Sequence, residues 1–264
     1  VTADWEDASI RVWDAGTGEL LKTLKGVTAA IPAGCWSPGT VAYAPKGTTF
    51  ATAVGGADQK GLRIPTTLTI WNAESLAADF QVVPQSVRVH AMAYSPDGKR
   101  LAIGGVGGTM RVLDIPQRQE RKAAEDEVKE LVAQLDHDDF QKREAAQRRL
   151  LELGSAARSQ LEIAVRSSKS AEVRFRARAI IAAIAKDERV NVAKVFARSH
   201  EGTIMGIVYS PDGKLLASCS RTFRKGRGRI VVWSTGDTGR PIFQWTGTGL
   251  TSIQFSPDGK RLAS

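Results

Sequence analysis

The chain has 264 residues, of which 42% are hydrophobic and 25% charged, and a formal net charge of +9. That length suffices for a large core, or for one domain with a second inserted in it. No apolar run approaches the ~18–20 residues of a membrane span, and Val1 does not open a signal peptide. Cys35 and Cys219 lie far apart in no CxxC spacing, so they are expected to be small buried hydrophobes rather than a disulfide or metal site.

The first strong element is Ile10-Arg11-Val12-Trp13-Asp14, a short Trp-ended strand closed by a turn-former. Asp14-Ala15-Gly16-Thr17-Gly18 then turns the chain into a strand over 19–24. Tyr43-Ala44-Pro45-Lys46-Gly47 is a degraded copy of a phrase that returns as Tyr94-Ser95-Pro96-Asp97-Gly98-Lys99, Tyr209-Ser210-Pro211-Asp212-Gly213-Lys214 and Phe255-Ser256-Pro257-Asp258-Gly259-Lys260. Pro presets φ, Asp bonds its own backbone and Gly supplies a positive φ, so each copy reads as a hairpin turn. Apolar runs follow, as in Leu101-Ala102-Ile103 and Leu215-Leu216-Ala217. Leu68 to Asn72, Met110 to Asp114 and Ile230 to Ser234 repeat the strand that ends in Trp13-Asp14, although Leu113 replaces Trp in one copy. Ser234 to Gly239 makes a turn like the one after Trp13, and 241–245 is the strand after it.

From Glu120 the apolar period changes from two to about 3.6. Ala124, Val128, Leu131 and Leu135 predict one helix. Asp138 or Asp139 caps a second that carries Phe140, Ala146, Leu150 and Leu153 and ends at Gly154. Ser155 starts a third with Ala157, Leu161, Ala164 and Val165, and Ser170 caps a fourth whose stripe is Val173, Ala177, Ile180, Ile181 and Ile184. Val192 to Ala197 then predicts a return to strand.

The repeated unit is therefore strand, Ser-Pro-Asp-Gly turn, strand, variable loop, strand ending Trp-Asp, turn, strand. It resembles the WD40 repeat family, whose unit is a four-stranded propeller blade of roughly 40–45 residues. The turn spacing is 51 residues from Ala44 to Ser95, 46 from Ser210 to Ser256, but 115 from Ser95 to Ser210. Roughly 70–75 residues are thus inserted against the usual period. The resemblance implies a mainly β WD40 β-propeller, of four blades or a fragment of a larger ring, with an inserted α-helical lobe. Propeller blades are expected over 1–116 and 191–264, with the lobe over 117–190. The lobe resembles a HEAT-type pair in Arg143-Glu144-Ala145-Ala146, Leu150-Leu151-Glu152-Leu153-Gly154 and Glu172-Val173-Arg174. It is expected between the third and fourth strands of one blade, which lie about 4.8 Å apart, so that it leaves and returns at nearly one point and projects from the propeller rim. The run from Phe255 to Ser264 followed by Val1 to Leu24 makes an almost ordinary repeat. Either the two ends close a ring, or the chain is an excerpt of a longer protein; the missing initiator Met and the abrupt ends favour the excerpt.

Few residues suggest chemistry. His90, His137 and His200 are far apart, and His200-Glu201 has Ile204 where a zinc peptidase would have a second His. Gly104-Gly105-Val106-Gly107-Gly108 sits between strands rather than opening a helix, so a hairpin loop is expected there and not a phosphate site. His137-Asp138-Asp139 reads as a helix cap rather than a metal cluster. No catalytic residue, cofactor site or metal site is therefore assigned.

The WD40 resemblance implies a buried hydrogen-bond network within each blade, built from His, Ser or Thr, Asp and Trp. His200, Ser218 and Trp233 fill three of its places, while Arg227 or a neighbour stands at the Asp. Asp7, Trp13 and Asp14 match in another blade, with Thr246 at the His place. Trp71 matches in a third, with Gly34 and Pro65 near the His and Asp places.

The segment 117–190 carries sixteen Lys/Arg and fourteen Asp/Glu, so most of the excess positive charge lies on the blades. Its densest cluster is Arg221, Arg224, Lys225, Arg227 and Arg229, interleaved with Phe223. The reading that follows is a non-catalytic scaffold for protein–protein interaction. Its alternatives are a polyanion- or nucleic-acid-binding module acting through the Arg221–Arg229 loop, or a regulatory propeller of a larger enzyme. The mixture of blades and helices also looks similar to large bacterial WD40 proteins, some with kinase or sigma-factor-like domains. The partner is unknown, and no residue fixes the compartment, with the cytoplasm favoured.

Overall fold

Each Ser-Pro-Asp-Gly phrase folds as a tight turn whose serine hydroxyl is the hub. In the second copy Ser210 Oγ donates to Asp212 Oδ1 (2.6 Å) and accepts from Leu215 N–H (2.9 Å), while Lys214 N–H donates to Asp212 Oδ1 (3.0 Å). Ser95 and Ser256 repeat the arrangement, with Arg100 N–H and Arg261 N–H as donors at 2.9 Å. Gly98, Gly213 and Gly259 take φ of 71°, 73° and 71°, a region that other residues rarely adopt. The hydroxyl and amide donors hold the Asp97, Asp212 and Asp258 carboxyls below the usual carboxylate range.

The computed structural model describes residues 1–3, 9–24, 40–57, 63–85, 88–116, 118–186, 192–196, 200–222, 226–236 and 241–264. Contacts divide the chain into two units, one of 1–79, 85–115 and 192–264, the other of 80–84 and 116–191.

The first unit is a series of antiparallel sheets. Strands β1 (Thr2–Ala3), β2 (Ile10–Trp13) and β3 (Leu20–Leu24) form the first sheet. Strands β4 (Thr40–Tyr43), β5 (Thr49–Ala57), β6 (Arg63–Asn72) and β7 (Ala78–Gln85) follow in sequence order as the second. The third contains β8 (Val89–Tyr94), β9 (Arg100–Gly105), β10 (Met110–Asp114) and β11 (Val192–Phe196). The fourth contains β12 (Thr203–Tyr209), β13 (Leu215–Arg221), β14 (Arg227–Ser234) and β15 (Pro241–Thr248). A short hairpin, β16 (Gln254–Phe255) with β17 (Leu262–Ala263), is a sheet of its own, separate from the one that holds β1. The strand expected over 241–245 thus extends to Thr248, and the one expected from Glu19 begins at Leu20.

Neighbouring sheets pack through apolar faces, which is what the alternation of each strand provides. Ile10, Val12 and Leu24 meet Phe50, Val54 and Trp71. Met110, Val112 and Phe196 meet Ile204, Leu216, Val231 and Trp233, with the Phe196 and Trp233 rings edge-on at 4.9 Å. The opposite face of the fourth sheet holds Cys219 and Ile230 against Leu250, Ile253 and Phe255. The turns lie side by side as well. A Cβ built on Gly98 would sit 3.7 Å from Pro45 Cδ, on Gly213 3.5 Å from Pro96 Cδ, and on Gly259 3.4 Å from Pro211 Cδ. The Pro of each turn therefore rests against the Gly of the next.

The chain between β10 and β11 forms α1 (Arg118–Gln134), α2 (Phe140–Leu153), α3 (Ser155–Ser167) and α4 (Ala171–Lys186). These belong to the second unit and bury their own core of Val128, Leu135, Leu150, Leu161, Ala177 and Ile180. Asp139 caps α2 by accepting from Gln141 N–H (2.8 Å), Gly154 ends it, and Ser170 Oγ accepts from Val173 N–H (3.2 Å) at the start of α4. No helix among the described residues is long and apolar enough to cross a membrane.

The degraded first turn tests the role of the hub. Ala44 and Gly47 keep the backbone bonds of the other copies, Ala44 N–H to Thr49 O at 2.9 Å and Gly47 N–H to Ala44 O at 2.8 Å, without a side-chain network. Installing it with Ala44→Ser and Lys46→Asp should raise the urea midpoint, the serine bonds contributing about 1 kcal/mol. Ser210→Ala should lower the midpoint by a similar amount.

Candidate interaction platform

One geometric rule links the blades: the residue paired opposite the position two before the terminal Trp carries a hydroxyl aimed at the indole. Ser218 pairs with Val231, Thr52 with Thr69 and Thr2 with Arg11. Trp233 Nε1–H donates to Ser218 Oγ (3.3 Å), Trp71 Nε1–H to Thr52 Oγ1 (2.9 Å) and Trp13 Nε1–H to Thr2 Oγ1 (2.9 Å). The last pair is exposed and the other two are buried. Thr2 and Thr52 were missed in the sequence, although the register of the hairpins could have found them. In the third sheet Ile103 and Leu113 occupy the two places, both fully buried. Donor and acceptor have been replaced together, which leaves no buried polar atom stranded.

His200 completes the network in one blade. Its Nε2 lies 2.8 Å from Ser218 Oγ, so the structure brings His200, Ser218 and Trp233 together. The other ring nitrogen, Nδ1, is buried and has no hydrogen-bond partner among the described residues. Burial, and next the Arg229 guanidinium, push the His200 pKa down to about 4. Its main chain is held by the β9–β10 loop, with His200 N–H donating to Gly108 O (3.2 Å). Gly108 takes φ of 69°, and a Cβ there would fall 1.9 Å from His200 O, so the glycine of that loop serves close backbone approach.

Asp14 Oδ1 accepts from Gly16 N–H and Thr17 N–H, each at 2.8 Å, and these amides hold its carboxyl below the usual range. Asn72 does the same for Glu74 N–H and Ser75 N–H. These side chains stop the third strand and aim the fourth. Asp7, Cys35, Gly34 and the pair Arg224 and Lys225 lie outside the described residues, as does Phe223. The rest of the basic cluster is divided by the sheet. Ser220 pairs with Arg229 and Arg221 with Gly228, so Arg227 and Arg229 share one face of β14 while Arg221 belongs to the other. Cys219 is buried with a free thiol, and burial raises its pKa to about 11, which keeps it protonated and unreactive. His137 accepts from Asp139 N–H through Nδ1 (3.0 Å), and among the described residues no group of His, Cys, Asp and Glu is placed to hold a metal ion.

Four-stranded antiparallel sheets packed face to face in series, with Ser-Pro-Asp-Gly turns and Trp-ended third strands, define propeller blades. Residues 82–114 and 192–234 match the family described as WD domain, G-beta repeat, which supports reading these segments as WD40 repeats. No curated protein matches the chain. WD40 repeats are generally protein-interaction scaffolds and typically non-catalytic.

The depressed pKa has a definite consequence. The unfolded chain binds a proton at His200 near pH 6.5 and the folded chain only near 4, so stability is lost as pH falls through that window. The expected loss is on the order of 3 kcal/mol, seen as a falling urea midpoint that is flatter with pH in His200→Asn. Ile103→Thr alone should cost about 1–3 kcal/mol by burying an unmatched hydroxyl. Adding Leu113→Trp should recover part of that loss. A double-mutant cycle with purely additive losses would show that shape, not the donor, decides the pair.

Proposed function

We propose that the chain is a non-catalytic scaffold that docks a protein partner on its blades, with the helical segment 117–190 a HEAT-like lobe inserted between blade segments 1–116 and 191–264, in the manner of bacterial-type WD40 proteins. The observation that carries the reading is the shared register of the blades. Successive turns rest Pro against Gly, setting neighbouring sheets side by side, and Trp indoles tied to hydroxyls on the neighbouring strand brace individual sheets. Loops carried by such a frame are pre-positioned, which lowers the ordering cost of binding a large partner surface. The buried thiol, the helix-capping His137 cluster and the core-bound His200 all have structural roles, which also favours a scaffold over an enzyme.

The test is reconstitution. A protein recovered with the tagged chain from extract of its source should bind again when both are purified, in a fixed stoichiometry and with Kd below about 10 μM. That binding should be lost when Trp233→Ala disrupts the fourth sheet. If no purified partner rebinds, and retention on heparin instead disappears in Arg221→Gln/Arg227→Gln/Arg229→Gln, the scaffold reading is wrong and a polyanion is the ligand.

A further inference from the structure

The geometry points to a groove between α3 and α4 that docks an acidic peptide segment of a protein partner through one apolar anchor and flanking carboxylates. This deepens the scaffold reading and rests on it.

The groove lies within the helical unit. Glu162, Val165 and Arg166 of α3 and Arg178, Ile181 and Ala182 of α4 line a volume of about 250 Å³. That is below the ~300–1,000 Å³ of sites that enclose a small molecule, and suits one or two side chains of a peptide lying across it. Its floor is apolar. Ile180 and Ile184 are buried in the helical core, whereas Ile181, which the sequence assigns to the same stripe, is only partly buried and turns to the groove with Val165. Phe175 stands three residues before Arg178 on the same helix face and is 71% exposed.

The charge on the rim selects the partner. Several guanidinium groups of this unit are already engaged: Arg149 with Glu127 at 2.7 Å, Arg176 with Glu172 at 2.6 Å and Glu144 at 2.8 Å, and Arg143 and Arg174 with main-chain carbonyls. Arg178 has no ion pair or hydrogen bond among the described residues. Arg166 reaches Glu162 only at 3.7 Å, and the Oε1 of Glu162 is already taken by Arg158 at 2.9 Å. Two exposed guanidinium groups thus line the groove from opposite helices, with Glu162 as its one carboxylate, and that group pairs with Arg158 and Arg166. A partner bringing carboxylates on either side of a Leu-sized side chain supplies both missing charges while covering the floor.

The test is fluorescence anisotropy on the whole chain with two labelled helical peptides, one carrying Leu between Glu residues and its twin carrying Lys for Glu. The acidic probe should bind at least about tenfold more tightly. Arg178→Gln should weaken it, Arg166→Glu/Arg178→Glu should reverse the preference, and Ala182→Trp, which fills the groove at unchanged charge, should weaken both probes. Binding of neither probe, equal binding of both, a preference that survives charge reversal, or indifference to Ala182→Trp would each overturn the proposal. None of these substitutions touches the blades, so the partner rebinding lost in Trp233→Ala reports on the scaffold reading separately.

Discussion

A serine hydroxyl that donates to an aspartate and accepts from an amide five residues on locks three of the hairpin turns from which the sheets are built. It closes the first hairpin of a blade at one length, with no freedom to slip by a residue. Side chains alternate with period two, so a slip would turn every core residue of the second strand to the wrong face. With the turn closed at Ser210, Ser218 falls opposite Val231 and its hydroxyl reaches the indole of Trp233. Register set at the turn thereby delivers a buried donor to its acceptor eight residues away.

The family's four-member network degrades here without loss of the blade, and the manner of the loss is informative. Where His is absent, Trp71 and Thr52 still satisfy each other. Where Trp is absent, Ile103 and Leu113 make the site apolar on both strands. What is avoided is the intermediate state, a buried donor or acceptor facing nothing, which costs more than the net gain of a hydrogen bond. The avoidance is not complete: Thr69 Oγ1 and His200 Nδ1 are buried without a hydrogen-bond partner among the described residues, and burial keeps the His200 ring neutral.

Repetition made much of this legible. Four turn phrases and four Trp-type strands located each sheet, and one anomalous spacing located the helices. Asp139, Gly154 and Ser170 announced helix ends through capping chemistry that depends on local residues alone. Thr2 and Thr52 were not legible, because a lone Thr in a strand becomes a Trp partner only after the hairpin register is known. How the sheet divides the basic residues was not legible for a related reason. Arg221, Arg227 and Arg229 are close in sequence, but a hairpin lies between them and places Arg221 on the opposite face. Ile181 packs against the helical core as the stripe predicts and also lines the groove, a distinction that 3.6-residue periodicity alone does not make.

The position of the helices follows from the same pairing that defines a blade. Leu113 pairs with Val192 across the β10–β11 ladder, so the chain leaves and re-enters the sheet one strand spacing apart, about 4.8 Å. Any segment inserted there must bring its own ends together. A flexible loop of that length would carry a closure cost that grows only slowly with length, yet would lose far more in ordering its backbone. Helices with a private core of Val128, Leu150, Leu161 and Ile180 offset that ordering by burying apolar surface within the insertion itself. The blade therefore keeps its fourth strand, and Phe196 at the end of that strand still meets Trp233 of the next sheet. An insertion tolerated on these terms has its own surface chemistry, and Phe175 and Arg178, which has no ion pair among the described residues, belong to it.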